Sequence, residues 1–489
     1  MNLGKLLAGV TCKTTANEKT EITSVTSDSR KIEKGSLFIC IKGMRSDGHD
    51  FAPAVIENGA AAVVCERDLG LGDKQIIVES ARRAFCEICE NLHDRPLDSL
   101  KLVGITGTNG KTTTTYILKH ILEESGKKVG LIGTICNMIG NEVIPTEYTT
   151  PDTSELHSLF ARMRDAGCDV CLMEVSSQAL SQGRVEGLTF ECGCFTNLTQ
   201  DHLDVHGTME NYFEAKCRIF PMSRKICINA DDKWSDKIVL SEEQLKNTVF
   251  FGADSEKAQC KAANMEFRAD GVKFDISFEG ETKKAGLPIP GRFSVYNALS
   301  ATSIALSLGV EFGAAVKALS TATGVKGRAE VYPTNGDFTI VIDYAHAPDE
   351  VENILNAMRA VMKKGRLVAL LGCGGDRDPL KRPIMGAAAA KLADFVIVTS
   401  DNPRTEDPAS IIEQILPGVK QYDTPYVVIE NRREAIEYAV RNAQTDDVIV
   451  LAGKGHETYQ IIGKVKNHFD EREVLAEVFE KIKAEGAAK

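Results

Sequence analysis

Residue types suited to binding phosphate are concentrated in residues 101–122. A short apolar run leads into the glycine-rich residues 106–110, then Lys111, and then a row of threonines that opens a helix. Glycines let backbone N–H groups converge on an anion, the helix start adds partial positive charge, and Lys111 reaches the outer phosphates. Thr112 is placed to bind Mg²⁺. The glycine spacing departs from the Walker pattern G-x-x-x-x-G-K, so a turn without a ligand is the alternative interpretation.

Carboxylates and histidines that suit a metal follow this loop along the chain. Glu174 ends the apolar run 170–174, and a carboxylate at the end of a strand beside a phosphate loop suits Mg²⁺. Two histidines, including His202, and two aspartates fall within residues 201–206. Their spacing fits no zinc pattern, so a metal site and a polar loop both stay open. For Glu174, a simple charge at a strand end is the alternative.

Lys216 lies on the same predicted helix face as Tyr212 and Phe213. A lysine in such a position usually extends its ammonium to water. If the amine is desolvated instead, its pKa falls and it becomes reactive. The sequence alone leaves both outcomes open.

Charged loops follow three apolar runs in the last third of the chain, at residues 367–371, 395–398 and 448–451. If these runs are parallel strands of one sheet, their carboxyl ends meet at the edge where open α/β sheets bind ligands. Arg377, Arg404 and Glu457 would then face one small molecule. Two cations and a carboxylate suit a ligand that carries both a carboxylate and an ammonium. The sequence therefore predicts an amino-acid site.

The elements that position these residues alternate between strand and helix patterns, which is typical of α/β proteins with doubly wound parallel sheets. A chain of 489 residues corresponds to about three domains. We expect a small N-terminal α/β domain (1–98), a central P-loop parallel-sheet domain (99–325) and a C-terminal Rossmann-like α/β domain (326–489).

Composition excludes several classes of protein. A net charge of −11 argues against a general nucleic-acid binder, and no run of about 20 apolar residues predicts membrane insertion. The first ten residues are too weakly apolar for a signal peptide. The 14 cysteines lie in apolar stretches and indicate buried, reduced thiols. We expect a cytoplasmic monomer that acts on small molecules.

A series of motifs spans residues 106–460 in order: TGTNGKTT (106–113), TTPDT (149–153), MEVSS (173–177), TQDHLDVHGTMENY (199–212), AK (215–216), VYNAL (295–299), DYAHAPD (343–349), GCGGDRD (372–378), KRP (381–383), DNPR (401–404) and GKGHETYQ (453–460). Together with DSR at 28–30, the series resembles the Mur ligase family of bacterial cell-wall precursor synthesis. Two departures are Lys326, where the family usually has proline, and Asn431, where it usually has aspartate.

The resemblance implies an ATP-dependent amide ligase. In that reaction the D-glutamate γ-carboxylate of UDP-MurNAc-L-Ala-D-Glu attacks the γ-phosphate of ATP, and an amino acid's amine then displaces phosphate from the acyl phosphate. Mg²⁺ and lysines neutralise charge between the anionic substrates. Arg404 favours meso-diaminopimelate over L-lysine, because a guanidinium binds the far carboxylate in a bidentate manner and repels an ammonium.

Several alternatives remain open at this point. An L-lysine-adding ligase and a folylpolyglutamate synthase-like ligase share the chemistry. A P-loop switch or motor ATPase, and a nucleotide-binding module without activity, would use the same phosphate loop differently.

The resemblance also implies the residues of four sites. The ATP site would comprise Gly107, Thr108, Asn109, Gly110, Lys111, Thr112, Thr113, Asn297, Arg328, Asp343 and His346. The UDP-MurNAc-dipeptide site would comprise Ser29, Met44, Arg45, Ser46, Thr149, Thr150, Ser176, Gln182 and Arg184. The diaminopimelate site would comprise Arg377, Asp401, Asn402, Pro403, Arg404, Gly453 and Glu457. The Mg²⁺ ligands would be Thr112, Glu174, His202 and Lys216, with Lys216 carbamylated to N6-carboxylysine.

Overall fold

The computed structural model describes residues 1–43, 46–268, 271–334 and 336–487. Within these residues the strands form three large sheets and one hairpin, and each large sheet comes from its own stretch of chain. We call these stretches the N-terminal, central and C-terminal units. The domain boundaries at 98/99 and 325/326 fall between the sheets and stay predictions.

The N-terminal unit is a five-stranded sheet in the order β1-β5-β4-β3-β2, parallel except for β1 against β5. Its strands are β1 (Cys12–Thr14), β2 (Ser24–Thr26), β3 (Ser36–Ile39), β4 (Ala62–Cys65) and β5 (Gln75–Val78). Its helices are α1 (Leu3–Leu6), α2 (Ala52–Glu57) and α3 (Ala81–Leu92). The Ser80 side chain caps α3 by accepting a hydrogen bond from the Arg83 N–H, which satisfies one of the free donors at the helix start.

The central unit is an eleven-stranded sheet in the order β16-β15-β14-β13-β12-β11-β6-β10-β7-β8-β9. Its strands are β6 (Lys101–Thr106), β7 (Val129–Ile132), β8 (Asn137–Ile139), β9 (Glu142–Ile144), β10 (Val170–Glu174), β11 (Phe190–Phe195), β12 (Ser223–Asn229), β13 (Thr248–Gly252), β14 (Cys260–Arg268), β15 (Gly271–Phe278) and β16 (Glu281–Leu287). Its helices are α4 (Lys111–Glu124), α5 (Thr153–Asp165), α6 (Ser177–Ser181), α7 (Leu203–His206), α8 (Met209–Cys217), α9 (Glu242–Lys246), α10 (Arg292–Ser307) and α11 (Phe312–Leu319).

The predicted parallel sheet is confirmed for the middle of this unit, from β14 to β7, but both edges are antiparallel. The reason is the length of the connections. A tight turn through Glu279 and Gly280, both at positive φ, joins β15 to β16, and a turn at Gly140 joins β8 to β9. Such short loops can join only antiparallel neighbours, because a parallel return needs a longer crossover.

The C-terminal unit is a six-stranded sheet in the order β17-β18-β22-β19-β20-β21, parallel except for β17. Its strands are β17 (Glu330–Tyr332), β18 (Thr339–Asp343), β19 (Leu367–Leu371), β20 (Phe395–Val398), β21 (Tyr426–Val428) and β22 (Val448–Ala452), and the separate hairpin is β23 (Tyr459–Ile462) with β24 (Val465–His468). Its helices are α12 (Pro348–Val361), α13 (Lys381–Leu392), α14 (Pro408–Val419), α15 (Arg432–Arg441) and α16 (Glu471–Ala487). Strands β22, β19 and β20 are neighbours, which confirms that the three charged loops leave one edge of one sheet.

Helix α3 of the N-terminal unit packs against α5 of the central unit. Arg82 donates to Asp152 at 2.7 Å. The buried Glu90 Oε1 lies 3.4 Å from Nε2 of His157, which is fully buried. These contacts fix the N-terminal unit beside the loop that carries Thr150, which precedes α5.

Candidate active site

The phosphate loop, residues 106–111, joins β6 to α4 and lies tightly against its neighbours. Gly107 has a φ of +148°, and a Cβ there would lie 1.8 Å from Thr196 Oγ1. Gly110 has a φ of +82°, and a Cβ there would lie 2.5 Å from Asn297 Oδ1. Only glycine fits both the conformation and the space, so the loop exposes backbone N–H groups at the start of α4.

Two cations from different units face this loop. Lys111 Nζ donates to the carbonyls of Gly107 at 2.9 Å and Thr108 at 2.8 Å, and burial lowers its pKa. Arg328, from the C-terminal unit, donates to Thr112 Oγ1 at 3.4 Å. Positive charge from both units therefore surrounds the place where a helix start binds phosphate.

A buried carboxylate stands next to the loop and suits Mg²⁺. Glu174 accepts hydrogen bonds at 2.8 Å from the hydroxyls of Thr112 and Thr134, and at 3.0 Å from the Thr134 N–H. A carboxylate and a hydroxyl are hard oxygen donors of the kind that Mg²⁺ prefers. The donor set therefore fits the predicted ion.

Lys216 is buried and His202 is partly buried near the same loop, and desolvation lowers both pKa values. The His202 pKa falls to about 4, so its imidazole is neutral and able to bind a metal. Lys216 is fully buried, its ammonium lies 4.5 Å from the centre of the Tyr212 ring, and nearby Lys111 lowers its pKa further. Lys216 does not extend to water; its environment favours the neutral amine, which is the form that reacts with CO₂.

The remaining ATP-site residues line or border the same cavity. A cavity of about 170 Å³ is lined by residues of the central and C-terminal units, including Thr108, Asn109, Gly110, Thr113, Arg328 and His346. Asn297 is buried behind Gly110. Asp343 accepts from the N–H groups of Ala329 and Ala345, and burial raises its pKa to about 6. It therefore shapes the chain around Arg328.

A second cavity of about 170 Å³ contains the charged ends of the C-terminal strands. It is lined by Arg377, Lys381, Asp401, Asn402, Arg404, Gly453 and Glu457, among others. Pro403 is buried, and its carbonyl would lie 1.9 Å from a Cβ at Gly375. The structure thus brings the predicted amino-acid residues to one place.

Arg404 and Glu457 are held by their surroundings. Arg404 Nη1 donates to the Gly375 carbonyl at 2.8 Å. Glu457 Oε2 accepts from Asn402 and from the fully buried Lys454, each at 2.8 Å. These contacts orient the Glu457 carboxylate before any ligand binds.

The two cavities share one wall, formed by Asp201, His202, Tyr344 and His346. A group bound at the phosphate loop and a molecule bound among the C-terminal loops would therefore meet there.

The predicted dipeptide residues are divided between two places. Ser46 and Gln182 line a cavity of about 780 Å³ between the N-terminal and central units, with Lys42, Arg82 and Arg218. Thr149 and Ser176 line the phosphate cavity.

Two more of the predicted dipeptide-site residues, Thr150 and Arg184, are joined by hydrogen bonds to each other and to the strand that ends at Glu174. The Thr150 hydroxyl donates to the Glu174 carbonyl at 2.8 Å, and Arg184 donates to the Thr150 carbonyl at 3.0 Å. Ser29 is half-buried in a 3-10 helix. Met44 and Arg45 lie outside the described residues.

Two buried lysines were missed as site residues, although both stand in motifs that the sequence analysis quoted. Lys381 opens KRP, and Lys454 lies between the glycines of GKGHE. The available signal was the position of each lysine after a C-terminal strand, Lys381 at the start of α13 and Lys454 in the loop after β22. Burial, which decides their importance, depends on the tertiary fold.

A cavity at a phosphate loop that shares a wall with a second, amino-acid-sized cavity is the arrangement that an ATP-dependent ligase needs. The family model of the Mur ligase middle domain matches residues 105–305, that of the Mur ligase glutamate ligase domain 327–455, and that of the Mur ligase catalytic domain 21–92. The chain belongs to the Mur ligase family.

Individual relatives match over nearly the whole chain. UDP-N-acetylmuramoyl-L-alanyl-D-glutamate–2,6-diaminopimelate ligase of Caldanaerobacter subterraneus subsp. tengcongensis is 48% identical, over 98% of this chain and 99% of its own. An enzyme of the same name (number 1) from Clostridium acetobutylicum is 45% identical, over 99% of this chain and 100% of its own. A solved structure of a ligase of that name superposes with a TM-score of 0.72 at 31% identity, covering 99% of each chain.

Proposed function

We propose that this protein is the ATP-dependent ligase that joins meso-diaminopimelate to the D-glutamate of UDP-MurNAc-L-Ala-D-Glu. The observation that carries the proposal is the wall shared by the phosphate cavity and the amino-acid cavity. A carboxylate phosphorylated at the loop would be reached there by an amine from the other side. The names of the relatives support the same reaction.

In the first step, one group of residues binds the triphosphate and another would bind the metal ion. Lys111 and Arg328 hold the triphosphate, and the D-glutamate carboxylate attacks the γ-phosphate, so that ADP leaves and an acyl phosphate forms. Thr112, Glu174, His202 and the Lys216 carbamate would hold Mg²⁺, which neutralises charge between the two anionic substrates.

The second step takes place at the shared wall. The amino acid's amine adds to the acyl carbon, the carbon–oxygen bond to phosphate breaks, and the amine loses a proton as the amide forms. Arg404 binds the far carboxylate of diaminopimelate, and Glu457 binds an ammonium. An arginine there would repel the side-chain ammonium of L-lysine.

The acceptor would extend from the phosphate cavity to the cavity between the N-terminal and central units. Lys42, Arg82 and Arg218 line this larger cavity together with the acid Glu214, and Arg82 is paired with Asp152. The positive charge that remains suits the diphosphate of a nucleotide sugar.

The test is turnover by purified protein with ATP, Mg²⁺, UDP-MurNAc-L-Ala-D-Glu and one amino acid at a time, with mass measurement of the product. We expect ADP and phosphate release only with the dipeptide substrate, and product with meso-diaminopimelate. Equal use of L-lysine would overturn the choice of amino acid. ATP hydrolysis that ignores the dipeptide would indicate a switch or motor ATPase, and use of a folate would indicate the synthase-like alternative.

Carbamylation of Lys216 is a separate proposal with its own test. Protein equilibrated with ¹³C-bicarbonate should show a carbamate resonance that the Lys216→Met variant lacks. Exposed lysines such as Lys391 provide the control, since Lys391→Met should keep the resonance. A resonance that persists in Lys216→Met would assign the carbamate elsewhere.

Other properties stay predictions. No helix in the described parts of the chain is both long and apolar enough to cross a bilayer. The monomeric state and the cytoplasmic location are expected from the sequence, and gel filtration with light scattering would test the first.

A further inference from the structure

Lys381 is a buried cation whose hydrogen-bond donors are unused by the described residues. It is the first residue of α13, and its side chain is 9% exposed. In the described parts of the chain its ammonium forms no hydrogen bond, and its ion-pair partner, Asp201 Oδ1, is 3.9 Å away. An ammonium removed from water without such partners is costly, so its three N–H donors are available to a ligand.

Arg382, the next residue of α13, is a buried cation whose hydrogen bonds go to neighbouring parts of the protein. Its guanidinium donates to both carboxylate oxygens of Glu406 at 2.8 Å, to Gln414 at 2.9 Å and to the Gly374 carbonyl at 3.2 Å. Arg382 therefore fastens the loop after β19 to α14. Lys381 is also buried, but within the described residues it makes only the long ion pair to Asp201, and it lines the amino-acid cavity.

The position of Lys381 relative to the two cavities indicates which group it meets. Asp201 lines both cavities, so the ammonium 3.9 Å from it lies close to the shared wall. Arg404 lines the same amino-acid cavity, but its guanidinium donates to the Gly375 carbonyl, whereas Lys381 is paired with Asp201 of the shared wall. The two cations thus suit opposite ends of one elongated ligand.

We propose that Lys381 binds the carboxylate on the carbon that carries the attacking amine, and so positions that amine at the shared wall. The inference rests on the proposed function and adds to it the recognition of the reacting end of the amino acid. A carboxylate and an amine on the same carbon lie only about two bonds apart, so binding the carboxylate fixes the position and orientation of the amine. Charge-assisted hydrogen bonds to a buried carboxylate are among the stronger ones.

The test uses Lys381→Met, which keeps the length and apolar stem of lysine but removes the charge, with Lys381→Gln as a second variant. Lys391→Met, at the exposed end of the same helix, is the matched control. We expect the KM for meso-diaminopimelate to rise about 10- to 100-fold. The dipeptide-dependent exchange of label between ADP and ATP, measured without amino acid, should persist, because that exchange reports only acyl phosphate formation.

Substrate analogues separate the two ends of the ligand. L-lysine retains the carboxylate beside the attacking amine but lacks the far one, whereas D-lysine presented through its ε-amine retains only the far one. Each is measured as a substrate, or as a competitor of diaminopimelate where turnover is slow. Replacing Lys381 should weaken the binding of diaminopimelate and of L-lysine by a similar factor, and it should leave the binding of D-lysine unchanged.

Each contrary result has its own meaning. An equal loss for D-lysine, or an unchanged KM with a lower kcat, would overturn the assignment to the carboxylate of the reacting end. Loss of the exchange reaction in both folded variants would place Lys381 in the first step. Failure of the unmodified protein to use diaminopimelate would instead refute the proposed function.

Discussion

Asp349, near the start of α12, accepts a hydrogen bond from the Thr199 hydroxyl at 2.7 Å. The same carboxylate oxygen, Oδ2, also accepts from the Asn109 amide in the phosphate loop. One side chain of the C-terminal unit thereby joins the nucleotide loop to the loop after β11, and burial raises its pKa to about 6. The contact provides a direct connection between ATP binding and the position of the C-terminal unit.

Asp349→Ala should weaken this connection. Loss of two hydrogen bonds to a carboxylate, each worth about 1–3 kcal/mol, should lower kcat about 10-fold or more. We expect the C-terminal unit to close before chemistry when ATP and dipeptide bind, and the substitution should reduce this compaction. Small-angle scattering and steady-state kinetics measure the two effects. Glu352→Ala, on the exposed face of the same helix, should change neither. Unchanged scattering together with unchanged kcat in Asp349→Ala would show that the contact is incidental.

Arg404 should decide between diaminopimelate and L-lysine. Its backbone is held by the β23–β24 hairpin, since its N–H donates to the Ile461 carbonyl at 3.0 Å and its carbonyl accepts from Gly463 at 2.7 Å. Arg404→Ala should lower kcat/KM for diaminopimelate about 100-fold, because a bidentate charge-assisted contact is lost. The kcat/KM for L-lysine should stay the same or rise. A parallel fall for both substrates would mean that Arg404 supports the loop and does not read the ligand.

Lys454 should act through Glu457, which it orients. Lys454→Met leaves Glu457 Oε2 with Asn402 as its remaining hydrogen-bond donor among the three residues of this network. We expect the KM for the amino acid to rise about 10-fold while the KM for ATP stays constant. Lys454→Arg should recover part of the loss, which a purely packing role would not explain.

Glu90 should make stability depend on pH at the interface between α3 and α5. Burial raises its pKa to about 7, and the facing His157 has its pKa lowered to about 4, also by burial. His157 Nδ1 lies 2.8 Å from the Thr153 carbonyl, so Nδ1 carries the proton. The unprotonated Nε2 lies 3.7 Å from the Cys86 thiol and 3.4 Å from Glu90 Oε1, and it offers no positive charge to a Glu90 carboxylate. Folded Glu90 binds its proton more tightly than unfolded Glu90, so the stabilisation is complete below about pH 4.5 and is lost as pH rises through about 7.

Glu90→Gln mimics the protonated acid, so the variant should not lose stability as the pH rises through about 7. Relative to the unmodified protein, its free energy of unfolding should increase from pH 5 to pH 8 by about 2 kcal/mol. His157 acts in the opposite direction but is present in both proteins, so its contribution cancels. Urea midpoints across this range measure the difference, with Glu124→Gln, an exposed site, as the control. A difference that does not vary with pH would contradict a raised pKa.

Local chemistry explains why so much of the fold was predictable. The apolar runs at Val129–Ile132, Val170–Glu174 and Leu367–Leu371 became strands with those bounds, because strands buried on both faces need continuous apolar residues. The glycines around Lys111 and the charges at three strand ends fixed the phosphate loop and the edge of the C-terminal sheet. The antiparallel edges of the central sheet were missed, since short turns there outweigh the parallel pattern of the middle.

The sequence by itself determined which residues are present for chemistry: a phosphate loop, a carboxylate beside it, and cations at one sheet edge. Only the tertiary structure decided how buried each of them is. The helix pattern around Lys216 favoured an ammonium that reaches water, Lys381 had no predicted role, and Glu90 carried no prediction. Burial depends on which other element covers a residue, and the covering elements come from distant parts of the chain. The neighbours of each residue in the sequence therefore do not indicate that contact.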